Sequence, residues 1–220
     1  MRDAAPPIEL GFVHRFQAAA RPGLPTLLLL HGTGGDERDL LDVGRGLLPG
    51  AALLSPRGQV SEHGMPRFFR RFDDGSFDVE DLRRRTGELA SFVGAAARAH
   101  GFDPSRVTAV GYSNGANVAA SLLLLQPQTL DGAVLFRATL PLQPPSAPVL
   151  DGVAVHLSVA RNDPFIPRAG AEQLELVLRE SGASVDVRWS DAGHGLTPED
   201  LIAGRRWLTT HLKPQPLEGA

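Results

Sequence analysis

Apolar positions fall in two kinds of segment that alternate along the chain. Short, continuous runs bounded by turn residues occur at Phe12–Ala18, Thr26–His31, Ala51–Ser55, Arg106–Tyr112, Gly132–Phe136, Val153–Ala160 and Ser184–Ser190. Runs without polar alternation fit strands buried on both faces of a mostly parallel sheet. Between them lie stretches with helical spacing. Leu82, Leu89, Val93 and Ala96 share one face, and Asp78 and Gly101 frame them as caps. Ala171–Ser181 repeats the pattern with Leu174 and Leu178, opened by Pro167 and closed by Gly182. Thr197-Pro198-Glu199-Asp200 opens a last helix, with a capping-box spelling and proline at the first helical position. Strand and helix in alternation predict an α/β fold.

Nothing divides this pattern. The chain has 220 residues with no internal repeat, so 1–220 reads as a single domain, long enough to bury a core without cross-links. The four prolines among Pro141–Pro148 mark a loop after a strand, and the tail from Pro214 reads as frayed. With no cysteine there is no disulfide, thiolate metal site or cysteine nucleophile.

A net charge of −3 lacks the positive excess of a nucleic-acid binder. The longest aliphatic runs, Leu27–Leu30 and Leu122–Leu125, fall far short of the ~20 residues that span a bilayer. Pro6 and Pro7 stand where a secretory signal needs an apolar stretch, so a cytoplasmic protein is expected. The seven histidines are scattered, with no metal-ligand spacing, and no cofactor or metal is expected.

The chemistry centres on Gly111-Tyr112-Ser113-Asn114-Gly115, which spells G-x-S-x-G between the strand Val107–Val110 and an apolar helix, Val118–Leu125. A serine hydroxyl needs a base to become a nucleophile. A sharp strand-to-helix turn with flanking glycines exposes it and sets it beside the positive end of the helix. The spelling alone is weak, since an ordinary glycine-rich turn shares it; its partners decide.

Acyl transfer also needs two N–H donors for the developing oxyanion. Asn114, next after the nucleophile, supplies one by position. The loop His31-Gly32-Thr33-Gly34-Gly35 follows an early strand and offers the backbone of Thr33 as the other. A phosphate-cradling loop would end in G-K-[ST], whereas Asp36-Glu37 stands here, suited to the start of the next helix; a plain turn is the remaining alternative.

The order Ser, then acid, then His leaves three histidines after Ser113. His156 lies in a strand and reads as core; His211 ends the last helix. His194 sits in the flexible loop Asp191-Ala192-Gly193-His194-Gly195 and is the expected base. Asp163, just past the strand Val153–Ala160, is the expected acid. Asp191 is its rival, and a simple turn before Pro164 is the alternative use of Asp163.

These pieces, with Leu30-His31-Gly32-Thr33-Gly34-Gly35, Asn162-Asp163-Pro164 and Gly193-His194-Gly195, resemble the α/β-hydrolase superfamily. The similarity is to its carboxylesterase/phospholipase branch, which includes acyl-protein thioesterases. Ser55-Pro56-Arg57-Gly58 and Met65-Pro66-Arg67-Phe68-Phe69-Arg70-Arg71 resemble a subgroup of bacterial hydrolases linked to hydroquinone and quinone stress. The resemblance implies a sheet with helices on both faces and no large lid domain. By analogy Met65, Phe68 and Phe69 line the substrate pocket, and a homodimer is expected. Arg67, Arg70 and Arg71 depart from the thioesterase pattern. They suit a substrate carrying a carboxylate, or simply form a solvated face.

The resulting expectation is a serine esterase acting on small or medium carboxylic esters. A thioesterase or lysophospholipase, a lactone hydrolase of the dienelactone type and a non-catalytic binding module on the same fold are the alternatives.

Overall fold

The computed structural model describes residues 10–211; Pro6, Pro7 and the tail from Pro214 lie outside the described residues. The elements follow in the order β1 (His14–Gln17), β2 (Thr26–Leu30), α1 (Leu41–Leu47), β3 (Ala52–Pro56), β4 (Val60–Glu62), β5 (Met65–Arg67) and α2 (Val79–His100). Then come β6 (Val107–Tyr112), α3 (Asn114–Leu125), β7 (Gly132–Phe136), β8 (Ala154–Ala160), α4 (Arg168–Glu180), β9 (Ser184–Ser190) and α5 (Pro198–His211). Seven strands form one sheet in the order β1-β3-β2-β6-β7-β8-β9, and β4 pairs with β5 in a separate hairpin. Strand β1 is antiparallel to β3; the other neighbours in the large sheet run parallel.

The continuous apolar runs explain this layering. Side chains alternate across a strand, so Leu28 and Leu30 face a core shared with Leu82 and Leu89 of α2, Leu123 of α3 and Leu174 of α4. Leu27 and Leu29 face the opposite core, with Leu47 of α1 and Trp207 and Leu208 of α5. All four leucines are completely buried, at about 1.5–3 kcal/mol each. A polar residue in place of any of these four leucines would forfeit part of one face.

The caps follow their sequence signals. Asp78 accepts a hydrogen bond from the Asp81 N–H at 3.0 Å, and Gly101 closes α2 at φ 74°. At the start of α5, Thr197 N–H donates to Asp200 Oδ2 (2.8 Å) and Asp200 N–H donates to Thr197 Oγ1 (3.3 Å), a reciprocal capping box. His156 is fully buried, as read from its strand position.

Four boundaries differ from the sequence reading. Strand β1 is shorter, because Phe12 packs against the edge of a core instead of pairing in the sheet. Helix α3 starts at Asn114, directly after the serine, instead of at Val118. Asp36-Glu37 does not open a helix: α1 starts at Leu41, and Glu37 is buried and bound to Arg57 at 2.6 Å. The β4–β5 hairpin falls in a stretch whose three-residue strands carry no readable period.

Topology then fixes where ligands can enter. From β2 the sheet grows to β3 on one side and to β6 on the other. Loops leaving the carboxyl ends of β2 and β6 therefore part, and a crevice opens between them.

Candidate active site

Ser113 sits where β6 turns into α3, with φ 54° and ψ −115°. A non-glycine residue in such a conformation stores about 1–3 kcal/mol of strain. Two glycines permit the turn. A Cβ on Gly111 would stand 2.6 Å from the carbonyl oxygen of Gly115, and one on Gly115 would stand 1.9 Å from that of Leu30. The elbow therefore lies directly against the end of β2. Ser113 N–H donates to Phe136 O at 2.9 Å, which fixes the turn to β7 as well.

His194 reaches the serine from the loop after β9. Its Nε2 lies 2.9 Å from Ser113 Oγ and its Nδ1 2.8 Å from Asp163 Oδ2. With Nδ1–H donating to the carboxylate, Nε2 is left as the acceptor that the serine proton requires. The Asp163 side chain is nearly inaccessible, at 1 %. Its Oδ1 accepts from the N–H groups of Phe165 (2.8 Å) and Ile166 (3.1 Å), which aims Oδ2 at the imidazole. The rival Asp191 is exposed and pairs with Arg161 at 3.0 Å. Geometry thus brings together Ser113, His194 and Asp163, from three remote parts of the chain.

Thr33, Ser113 and Asn114 line one cavity of about 560 Å³. The loop that carries Thr33 is built on buried His31, whose Nδ1–H donates to Gly32 O (2.7 Å) and whose Nε2 accepts from Gly58 N–H (2.9 Å). Burial lowers the His31 pKa against the pull of Gly32 O and nearby acids, so the imidazole stays neutral and keeps both roles. Asn114 opens α3, where backbone N–H groups point outward. Its side-chain Oδ1 accepts from Phe68 N–H at 2.7 Å and ties the elbow to the segment after β5.

The expected substrate-binding residues divide. Arg67 and Arg71 line the cavity. Arg70 does not: it points outward and pairs with Asp78 at 2.6 Å. Phe68 and Phe69 do not line it either; both are buried core residues, Phe68 against the His31 ring (4.7 Å) and Phe69 edge-on to Phe77 (5.1 Å). Met65 lines a separate depression with Phe72 and His63. An apolar side chain satisfies its own burial in a core as readily as in a pocket, which separates Phe68 and Phe69 from the analogy, whereas Met65 stays exposed on the hairpin. The apolar wall is instead Phe77 with Pro164, Phe165 and Ile166. Phe165 meets the His194 ring edge-on at 5.0 Å.

Sequence reasoning also missed how the histidine loop is held. Arg137, just past β7, is completely buried and has a positive φ of 60°. Its Nε donates to Gly193 O (3.1 Å) and its Nη2 to Gly195 O (3.0 Å) and Asp200 Oδ2 (2.6 Å). Tyr112 OH donates to the carbonyl between them, His194 O, at 3.1 Å. Burial raises the Tyr112 pKa, so the phenol remains a donor. Three consecutive carbonyls around His194 are therefore tied to the ends of β6 and β7. Among the described residues no group of three or more His, Cys, Asp or Glu side chains is placed to hold a metal ion. No described helix is long and apolar enough to cross a membrane.

A mostly parallel seven-stranded sheet, helices on both faces and this elbow at the end of β6 define an α/β-hydrolase fold. The chain belongs to the Phospholipase/Carboxylesterase family, whose profile matches residues 14–212. It is 48% identical over 181 residues to MhqD of Bacillus subtilis (strain 168), which covers 82% of this chain and 90% of that protein. The carboxylesterase of Bacillus cereus superposes with a TM-score of 0.89 at 42% identity, over 91% of this chain and 94% of its own. YahD, whose structure was solved with malic acid, gives 0.86 at 35%, over 91% and 99%.

Proposed function

We propose that the protein is a serine carboxylesterase that hydrolyses small to medium carboxylic esters through an acyl-enzyme. Ser113 Oγ attacks the ester carbonyl while His194 Nε2 takes its proton. The N–H groups of Thr33 and Asn114 hold the oxyanion, and His194 returns the proton to the departing alcohol. Water, activated by the same imidazole, then releases the acid. Asp163 keeps His194 in the productive tautomer and stabilises the imidazolium.

The observation that carries this reading is the unbroken relay from Ser113 Oγ through His194 to Asp163, at 2.9 and 2.8 Å, opening on the cavity. Family membership and the carboxylesterase neighbours support an esterase. YahD, a neighbour at 35% identity, was solved with malic acid, and a short carboxylic acid is in keeping with this reading.

Ser113→Ala tests the proposal. It should abolish both the hydrolysis of a p-nitrophenyl ester and labelling by a fluorophosphonate. Turnover that continues undiminished in this variant overturns it.

A further inference from the structure

We propose that the cavity beside Ser113 contains an anion subsite formed by Arg67 and Arg71, and that the substrates are monoesters of short dicarboxylic acids. This rests on the reading of Ser113 as nucleophile and adds the group that selects the ester.

Arg67 is the centre of the argument. Only 2 % of its side chain is accessible, yet it lines the cavity. Such burial of a guanidinium calls for strong compensation. Its Nε lies 3.2 Å from both Phe69 O and Glu62 Oε2, and its Nη1 donates to Thr33 Oγ1 at 2.5 Å. These contacts use Nε and Nη1 and leave Nη2 available to donate.

The charge is not neutralised. Arg71, on the rim, uses the same carboxylate oxygen, Glu62 Oε2, at 3.6 Å. Two guanidiniums share one acid, and the remaining carboxylate on that wall, Asp74, is held in an exposed turn by Ser76 N–H and Oγ–H (2.8 and 2.6 Å). Water screens Asp74, whereas Arg67 is desolvated. Around Arg67 itself two guanidiniums thus face the single carboxylate of Glu62, and burial together with neighbouring Arg71 lowers the Arg67 pKa to about 10.

Position sets the substrate length. Arg67 is one hydrogen bond from Thr33, the expected oxyanion donor. An anion on Arg67 would thus lie only a few carbons from the ester carbonyl. Asn117, whose Oδ1 is occupied by Thr139 N–H at 3.0 Å, adds an amide nitrogen to the same wall. A long neutral acyl chain offers nothing to these donors and would leave them desolvated.

The test compares monoethyl succinate and monoethyl glutarate with ethyl butyrate and ethyl valerate, on one preparation at low salt. The anionic esters should show at least about tenfold higher kcat/KM, the scale of one charge-assisted contact. Arg71→Gln should bring the ratio close to one. Arg70→Gln, whose side chain points away from the cavity, should leave it unchanged. Equal rates for both kinds of ester, or a preference that survives Arg71→Gln, overturns the proposal. Calorimetric titration of Ser113→Ala with glutarate keeps the two readings apart. Glutarate binding without hydrolysis of any ester by the native protein would sink the esterase and leave the subsite. Turnover of neutral esters without glutarate binding would sink the subsite alone.

Discussion

Arg137 and Asp200 form a buried ion pair, 2.6 Å between Nη2 and Oδ2, that ties the end of β7 to the start of α5 and encloses the loop of His194. Burial opposes the charge on Asp200, but Arg137, Ser158 Oγ–H and Thr197 N–H together hold its pKa below the usual carboxylate value. Removing one partner strands the other charge, at about 3–5 kcal/mol. Asp200→Ala should therefore lower the melting temperature by roughly 6–20 °C, at about 2–4 °C per kcal/mol for a chain of this size. Calorimetry checks the stability, and ester turnover measured well below the new midpoint should also fall, because the carbonyls of Gly193 and Gly195 lose a fixed donor.

Asp163→Asn isolates the orienting role. The amide oxygen can still accept from Phe165 and Ile166, so the fold should keep its melting temperature to within a few degrees. The imidazole then loses its acceptor at Nδ1 and settles in the wrong tautomer. Turnover of a p-nitrophenyl ester should fall by about three to four orders of magnitude. A loss of less than tenfold would remove Asp163 from the proposed triad.

The strain at Ser113 predicts a trade of activity for stability. Ser113→Gly should raise the melting temperature by about 2–4 °C, through relief of roughly 1 kcal/mol, while abolishing any turnover of a p-nitrophenyl ester. Gly115→Ala acts the other way. Its new methyl would run into the Leu30 backbone, not into a side chain that can swing aside. Thermal melts of the two variants should shift in opposite directions.

Acid should weaken the fold through its buried histidines. Burial is the largest influence on His31 and His156 and lowers both pKa values, although Gly32 O and Asp186 pull them upward. The unfolded chain binds protons near the ordinary value of 6.5, which the fold resists. Stability is thus complete above that value and declines as pH falls through it toward the lowered folded values. Melting temperatures measured from pH 8 to pH 5 should fall over the acidic half. The slope should flatten in His156→Gln; an identical slope would exclude His156 as a source.

These residues show which parts of the molecule are written in local sequence. Strands β2, β6, β7 and β8 are legible because burial on both faces demands continuous apolar runs. The elbow is legible because strained backbone demands glycine at fixed offsets. Arg137 is not, since its partners are carbonyls, a hydroxyl and a carboxylate 21 to 63 positions away. An isolated arginine in sequence looks like surface charge. Phe68 and Phe69 part from the analogy for the opposite reason: hydrophobicity predicts burial but not which void a ring fills. Arg67, Arg70 and Arg71 form one cluster in sequence, yet short strand β5 ends among them and sends them to three environments.

The hairpin bearing Arg67 hangs from the scaffold by a few ties, chiefly Gly34 N–H to Pro66 O (2.9 Å) and Phe68 N–H to Asn114 Oδ1 (2.7 Å). On the readings proposed above, the charged part of guest selection sits on this hairpin and the apolar part chiefly on the loop that bears Asp163. A grafted hairpin would change the charge presented to a guest while leaving Ser113, His194 and Asp163 on their own loops. Any such graft inherits one obligation, since Thr33 leans on the guanidinium it would replace.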